Sequence, residues 1–580
     1  MTFPEKEPKT AYEASLRRIS DLARWRQDNL GDLPTIASEE ILLRGIRNLI
    51  TELPERGLGL ESTMDHLLQE VLPTLAQGHS GPRYFGFVTG GCLLSAQLAD
   101  MLVTLLDSNV QVHLIKETLA TLVEHHALNL VLDLLELPRS DFAGTFTTGA
   151  TASNILGLAC GRESVLERVM RSNDEAKDSE TGAFSLAEQG FGPGVAKVKV
   201  LTTRPHASIK KAAAIVGIGR ANVLETSMTS NSDPLLEPGS EDLFTCLDFD
   251  LDELERRLSE SKQKGEAPIV VLGMGEVNTG ALTTQTPQVR ALCDKYGAWL
   301  HVDAAFSAFM NLVPGYEWVS HHLAMADSIT TDGHKQLNVP YDCGIFFVKK
   351  PQPCQVTEDS ILEEVFGTGK GGGPAYLSAG PGDPEGEDED EEEEGEEGPQ
   401  LTRRLAYARG LPSPLVRNIE NSRRFRALPV YAALLSQGRE GYQEIVRRNV
   451  DFARSIESWL RESEARAKLY QVLTPMPSEE RKVDSVGQNH DVFNTTVVLF
   501  RPHPECPNTR FRGVDGHLRL VDAIKKTAKV YVSPTSWQGL GAVRLAVSNW
   551  STGLELDRDG QSEDLETTKR VLEGVMLAAM

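Results

Sequence analysis

The apolar positions of this chain change period along its length, and those changes mark out its elements. From Leu119 onward, Leu122, Val123, Ala127, Leu130 and Leu134 recur at steps of three and four, which predicts an amphipathic helix ending near Pro138. Short apolar runs then take over at 196–203, 268–274, 298–302, 328–331 and 343–348, each reading as a strand and separated from the next by helical stretches. That alternation predicts an α/β fold, with a mostly parallel central sheet covered by helices. Before it, the residues up to about 105 are mostly helical in pattern, broken by Gly78-His79-Ser80-Gly81-Pro82 and by an aromatic, glycine-bounded loop over 83–91. After it, helical periodicity returns over 418–460, and 495–500 and 543–547 read as strands of a smaller α+β C-terminal domain. The expected partition is a helical segment over 1–105, a large domain over 106–365, an insert over 366–403 and a small domain over 404–580.

Two stretches break the periodicity. Residues 172–194 are polar, and 367–398 run from a glycine cluster into Glu385-Gly386-Glu387-Asp388-Glu389-Asp390 and further glutamates. Like-charge blocks of this kind repel themselves and predict a disordered insert. The formal net charge of the 580 residues is -24, but twelve acidic residues lie between Asp383 and Glu397, so half the excess is one tract. An acidic balance disfavours nucleic acid and anionic membrane surfaces as partners. The 7 cysteines are scattered with no CxxC pair, as expected of free thiols in a reducing compartment. No apolar run approaches the roughly 20 residues that span a bilayer, and the first thirty residues lack a signal peptide's apolar core. The expectation is a cytoplasmic protein.

Candidate chemistry sits at the strand ends, where open α/β sheets bind ligands. The strand over 298–302 delivers Asp303, and the strand over 328–331 is followed by Asp332-Gly333-His334-Lys335. A fixed carboxylate and a nearby amine suit pyridoxal phosphate: the lysine condenses with its aldehyde and the aspartate keeps its pyridine nitrogen protonated. Upstream, Thr147-Thr148-Gly149-Ala150-Thr151-Ala152-Ser153-Asn154 opens a helix with small residues, which exposes backbone N–H groups for a phosphate. His206, between a strand and a helix in Arg204-Pro205-His206-Ala207-Ser208, is placed to stack on a pyridine ring. Each feature alone is common, since aspartates cap helices and most lysines are surface residues. Their order along one chain gives them weight.

The ordered set GATASN, PHAS, WLHVDAAF and DSITTDGHK, followed by Ser422-Arg423-Arg424-Phe425-Arg426-Ala427-Leu428, resembles the group II pyridoxal-phosphate-dependent amino-acid decarboxylases. Aromatic-L-amino-acid, tyrosine, histidine and glutamate decarboxylases belong to that group, and the resemblance covers roughly residues 72–552. It implies the type I aspartate-aminotransferase-like fold, a homodimer, and decarboxylation of a small-molecule L-amino acid. Carried over by position, Lys335 is the cofactor lysine, Asp303 the ring-nitrogen partner and His206 the stacking residue. Gly149, Ala150, Thr151 and His334 fall at the phosphate. Phe87 and Thr89 fall on the substrate-facing loop, and Tyr376 in Pro374-Ala375-Tyr376-Leu377 matches the mobile-loop tyrosine that returns a proton to the α-carbon.

The sequence departs from the family pattern in places. Gly275-Glu276-Val277-Asn278-Thr279-Gly280 puts an acid near the cofactor, and Gly333 replaces the proline often found before the His-Lys pair. The acidic tract begins within ten residues of Tyr376 and lengthens the loop that carries it. Two rival readings share the scaffold: an aldehyde synthase that couples decarboxylation to oxidative deamination, and a catalytically degenerate binding protein. Tyr376 favours decarboxylation over the first, because aldehyde-forming members typically carry phenylalanine there. Retention of Asp303, His206 and Lys335 argues against the second. The side chain of the amino-acid substrate stays open.

Overall fold

A computed structural model describes residues 9–174, 184–226, 248–350, 360–367, 398–474, 495–556 and 561–578. The chain divides into two compact units, one built from residues 92–447 and 475–495, the other from 1–91, 448–474 and 496–580. The first unit carries a seven-stranded sheet of β1 (Phe142–Thr147), β2 (Val198–Thr202), β3 (Val223–Glu225), β4 (Ala267–Gly273), β5 (Trp299–Asp303), β6 (Ser328–Asp332) and β7 (Gly344–Lys349). Its order is β1-β7-β6-β5-β4-β2-β3, with β7 antiparallel to both neighbours and every other pairing parallel. Six strands therefore end at the same edge, and β7 begins there, its Gly344 paired with Thr147 on one side and Asp332 on the other.

The strand sequences read as near-continuous apolar runs because both faces of the sheet are covered. Ile269, Val270, Val271, Leu300, Val302, Ile329 and Phe346 are all buried. The helices α1 (Ala120–Leu134), α2 (Ala150–Asp174), α3 (Ala207–Ile215) and α4 (Thr286–Tyr296) belong to this unit. Among them α2 follows β1 directly and packs across β5, β6 and β7. The helical stretch α5 (Ala427–Arg461), broken at Gly438 (φ 58°), begins only at Ala427, nine residues later than periodicity suggests. The preceding Arg423–Arg424 instead pairs antiparallel with Asn109–Val110.

The second unit holds a four-stranded antiparallel sheet of β8 (Tyr470–Val472), β9 (Val497–Pro502), β10 (Ser533–Trp537) and β11 (Leu540–Ala546), in the order β8-β9-β11-β10. Its core includes Phe85, Ile456, Trp459, Phe500, Leu520 and Val543. The sequence reading separated 1–105 from 404–580, whereas the loop after Arg83 is built into this unit. Phe85 N donates to Tyr531 O (2.9 Å), Ala546 N donates to Phe85 O (3.1 Å), and Arg83 pairs with the buried Asp564 at 3.0 Å. Backbone pairing of this kind joins segments that lie hundreds of residues apart, so chain order alone does not show the grouping.

Candidate active site

The C-terminal edge of the seven-stranded sheet gathers the chemistry. Asp303 is the last residue of β5, Asp332 the last of β6, and Lys335 stands one turn beyond Asp332. Ala150 at the start of α2, His206 at the start of α3, Asp303 and Lys335 all line one cavity, together with Arg204, Glu276, Val277, Ala305 and Phe306. The Lys335 amine is held by Asp332 at 2.8 Å, and that carboxylate is buried while the lysine is partly exposed. Asp332 Oδ1 is itself buried and has no hydrogen-bond partner among the described residues.

Asp303 is fixed at both oxygens. Oδ2 accepts from Asn154 Nδ2 at 2.9 Å and Oδ1 accepts from the backbone N–H of Ala305 at 3.2 Å. His206 caps α3: its Nδ1 accepts from Ser208 N (3.3 Å) and lies 2.8 Å from Ser208 Oγ, while the ring is exposed. His334 is buried, accepts from Cys343 N at Nδ1 (3.2 Å), and has the Tyr341 ring stacked on it at 4.2 Å. Burial holds the His334 imidazole below its usual proton affinity, against the opposing pull of Asp332. Gly149 is next to this group: a β-carbon there would lie 3.3 Å from His334 Cε1. Ala150 and Thr151 open α2, whose first turn carries no acidic residue to oppose an anion.

The departures have local explanations. Glu276 does line the cavity, but its carboxylate is folded onto its own turn, accepting from Asn278 N (2.9 Å), Thr279 N (2.7 Å) and Thr279 Oγ1 (2.9 Å). At position 333 a β-carbon would lie 2.8 Å from Cys343 Sγ, so the tight contact favours glycine. Phe87 and Thr89 belong to the other compact unit. There Phe87 is exposed with φ 56°, and Thr89 is buried with its hydroxyl donating to Gly86 O at 3.1 Å. Tyr376 and the acidic tract lie outside the described residues.

Sequence reasoning assigned no role to three residues that are bonded into this group: Asp332 to Lys335, Asn154 to Asp303, and His301 to Asn154. All three stand within the motifs already quoted. His301 carried a signal, because a histidine in the middle of a strand buried on both faces requires polar partners.

Residues 46–361 match the pyridoxal-dependent decarboxylase conserved domain, more than half of the chain. The chain belongs to the pyridoxal-dependent decarboxylase family. Relatives of this decarboxylase include tyrosine decarboxylase 2 of Arabidopsis thaliana, 23% identical over 91% of this chain and 81% of its own length. L-2,4-diaminobutyrate decarboxylase of Acinetobacter baumannii is 21% identical over 73% of this chain and 71% of its own. Among solved structures, Oryza sativa TDC with pyridoxal phosphate and tryptamine superposes with a TM-score of 0.72 at 18% identity, over 100% of both chains. Rhodiola rosea 4-hydroxyphenylacetaldehyde synthase superposes with a TM-score of 0.69 at 15% identity, over 99% of both chains. The decarboxylase therefore has the type I fold of pyridoxal-phosphate enzymes, and its cofactor is pyridoxal phosphate. The residues at the sheet edge fit that group: one amine, one oriented carboxylate and one helix N-terminus free of acidic residues share the cavity.

Proposed function

We propose that Lys335, Asp303 and His206 carry the decarboxylation of an L-amino acid to its amine and carbon dioxide, in a cavity whose other end is the start of α2. The supporting observation is that Asp303, at the end of β5, and Lys335, just beyond the end of the neighbouring β6, line the same cavity. Lys335 would hold the cofactor through its amine. Bound pyridoxal phosphate supplies an aromatic ring that takes up the electron pair left at the α-carbon when the carboxylate departs. Asp303 would keep the ring nitrogen protonated, and His206 would pack against the ring. Gly149, Ala150, Thr151 and His334 receive the phosphate. Tyr376 returns the proton to the α-carbon, and Phe87 and Thr89 face the substrate.

The functional unit in this reading is a homodimer in the cytoplasm. Among the described residues Cys160, Cys293, Cys343 and Cys506 form no disulfide, which suits a reducing compartment. Among the described residues no helix is long and apolar enough to cross a membrane.

The test is borohydride reduction of the holoenzyme followed by peptide mass mapping, with a panel of common amino acids assayed for carbon dioxide. The adduct is expected on Lys335, and Lys335→Ala is expected to lose it together with activity, roughly a thousandfold or more. Full activity in Lys335→Ala removes the assignment. Oxygen uptake with peroxide in place of amine moves the chain to the aldehyde-forming branch, to which the Rhodiola rosea relative belongs by name.

A further inference from the structure

The carboxylate of Asp303 is the end of a buried chain of hydrogen bonds that starts four residues earlier on the same strand. Trp299 Nε1 donates to Ser328 Oγ (2.9 Å), and Ser328 Oγ lies 2.8 Å from His301 Nδ1. His301 Nε2 lies 2.9 Å from Asn154 Oδ1, with Thr330 Oγ1 a longer neighbour at 3.4 Å. Asn154 Nδ2 then donates to Asp303 Oδ2 (2.9 Å) and to Ser208 Oγ (3.0 Å). His301, Asn154 and Ser328 are each fully buried, so every member depends on the others for its partners.

With His301 neutral, only one set of proton positions satisfies this chain. A carboxylate accepts and cannot donate, so the Asn154 amide must turn its nitrogen toward Asp303 and its oxygen toward His301. An amide oxygen only accepts, so His301 must carry its proton on Nε2. Its Nδ1 is then an acceptor and takes the Ser328 hydroxyl proton, while that hydroxyl oxygen receives the Trp299 N–H. Burial lowers the His301 imidazole to about 4, which keeps it in this neutral form. The fold makes room for the chain with two glycines one turn apart on α2. A β-carbon at Gly157 would lie 2.3 Å from His301 Cε1, and one at Gly161 would lie 2.8 Å from Trp299 Cδ1.

We propose that Asn154 and His301 are positioning residues of the reaction: His301 locks the Asn154 amide, and that amide aims the Asp303 carboxylate at the pyridine nitrogen of the cofactor. This rests on the assignment of Asp303 made above. Neither residue touches substrate in this scheme; both act through one oxygen of one carboxylate.

The test compares apoprotein affinity for pyridoxal phosphate with that for 1-deazapyridoxal phosphate, in which a C–H replaces the ring nitrogen. The aldehyde and phosphate are the same in both, so the ratio of dissociation constants reports the contact at the ring nitrogen. Asp303→Ala is expected to abolish the preference for pyridoxal phosphate. If it does not, the reading of Asp303 fails, and this proposal with it. With that control in place, His301→Leu is expected to lower the preference about tenfold, as for a lost hydrogen bond to a charged group. His301→Gln presents an N–H and a carbonyl in similar directions and is expected to recover most of it. Ser328→Ala, a smaller deletion that unlocks the same imidazole, is expected to lower the ratio in the same direction. Affinities that fall equally for both compounds in His301→Leu and Ser328→Ala, or a ratio unchanged in both, overturn the proposal and leave His301 as a packing residue.

Discussion

At the scale of single residues, the site depends on how little space lies between α2 and β5. Gly157 and Gly161 stand in the middle of α2, where alanine has the higher helix propensity by about 1 kcal/mol. Propensity alone predicts that Gly157→Ala stabilises the protein. The contact decides otherwise, because the new methyl would lie 2.3 Å from a His301 ring that is fully buried and bonded at both nitrogens. Overpacking of this kind costs about 1–3 kcal/mol, so the net effect is expected to be destabilising, read as a lower urea midpoint than wild type. An increase in midpoint would show that the helix shifts freely and that the contact is slack. The same residues show what sequence does and does not reveal. Asp303 and Lys335 are legible because one closes a short strand, the other follows one within three residues, and the two are close in the chain. Asn154 and His301 are 147 residues apart, and Asn154 and Asp303 are 149 apart, so no local pattern joins them.

At the scale of elements, strands were legible where burial on both faces made them uniformly apolar. The sequence limits for β4 to β7 fall within about a residue of those observed. β1 was missed because Phe142-Ala143-Gly144-Thr145-Phe146-Thr147 carries a glycine and two threonines although every residue is buried. β10 was missed because Ser533-Pro534-Thr535-Ser536-Trp537 reads as a turn, and it lies on the outer side of its sheet, where a proline is tolerated. The arginine-rich stretch before α5 was taken as helix, but Arg423 is drawn inward by α1. Its Nη1 donates to Glu124 Oε2 at 2.8 Å and its Nη2 to Glu124 Oε1, with both side chains buried. Glu124 also supports the neighbouring Arg417, whose guanidinium burial lowers to about 10. Removing only the anion leaves the Arg423 guanidinium facing a dry interior. Glu124→Leu is therefore expected to destabilise by about 3–5 kcal/mol, and Glu124→Leu with Arg423→Met to recover much of that loss. Thermal midpoints of the two single variants and the double variant measure the coupling, and strictly additive losses would show that the pair is not coupled.

At the scale of the whole molecule, one helix carries more apolar surface than its own unit covers. Leu94–Leu105 turns Ala96, Ala99 and Val103 into the core, yet Leu98, Leu102 and Leu105 are 62%, 51% and 69% exposed, and Leu106 beyond it is 71% exposed. Helices normally bury their apolar stripe against the core, and a further exposed apolar stripe marks an interaction surface. Residues 94–105 were assigned from sequence to a helical N-terminal segment, and hydrophobic periodicity alone does not separate the face that meets the core from the face that meets a partner. The homodimer proposed above supplies the partner, a second copy of the chain laid against this stripe. Leu98→Glu with Leu102→Glu places two carboxylates where that interface would be dry, at a cost of several kcal/mol per buried, unpaired charge. The double variant is expected to sediment as a monomer of 63.6 kDa at concentrations where the wild type sediments at twice that mass. Because both leucines are already exposed in the single chain, the fold of the unit itself is expected to be intact by circular dichroism. A variant that remains dimeric would move the interface to another face.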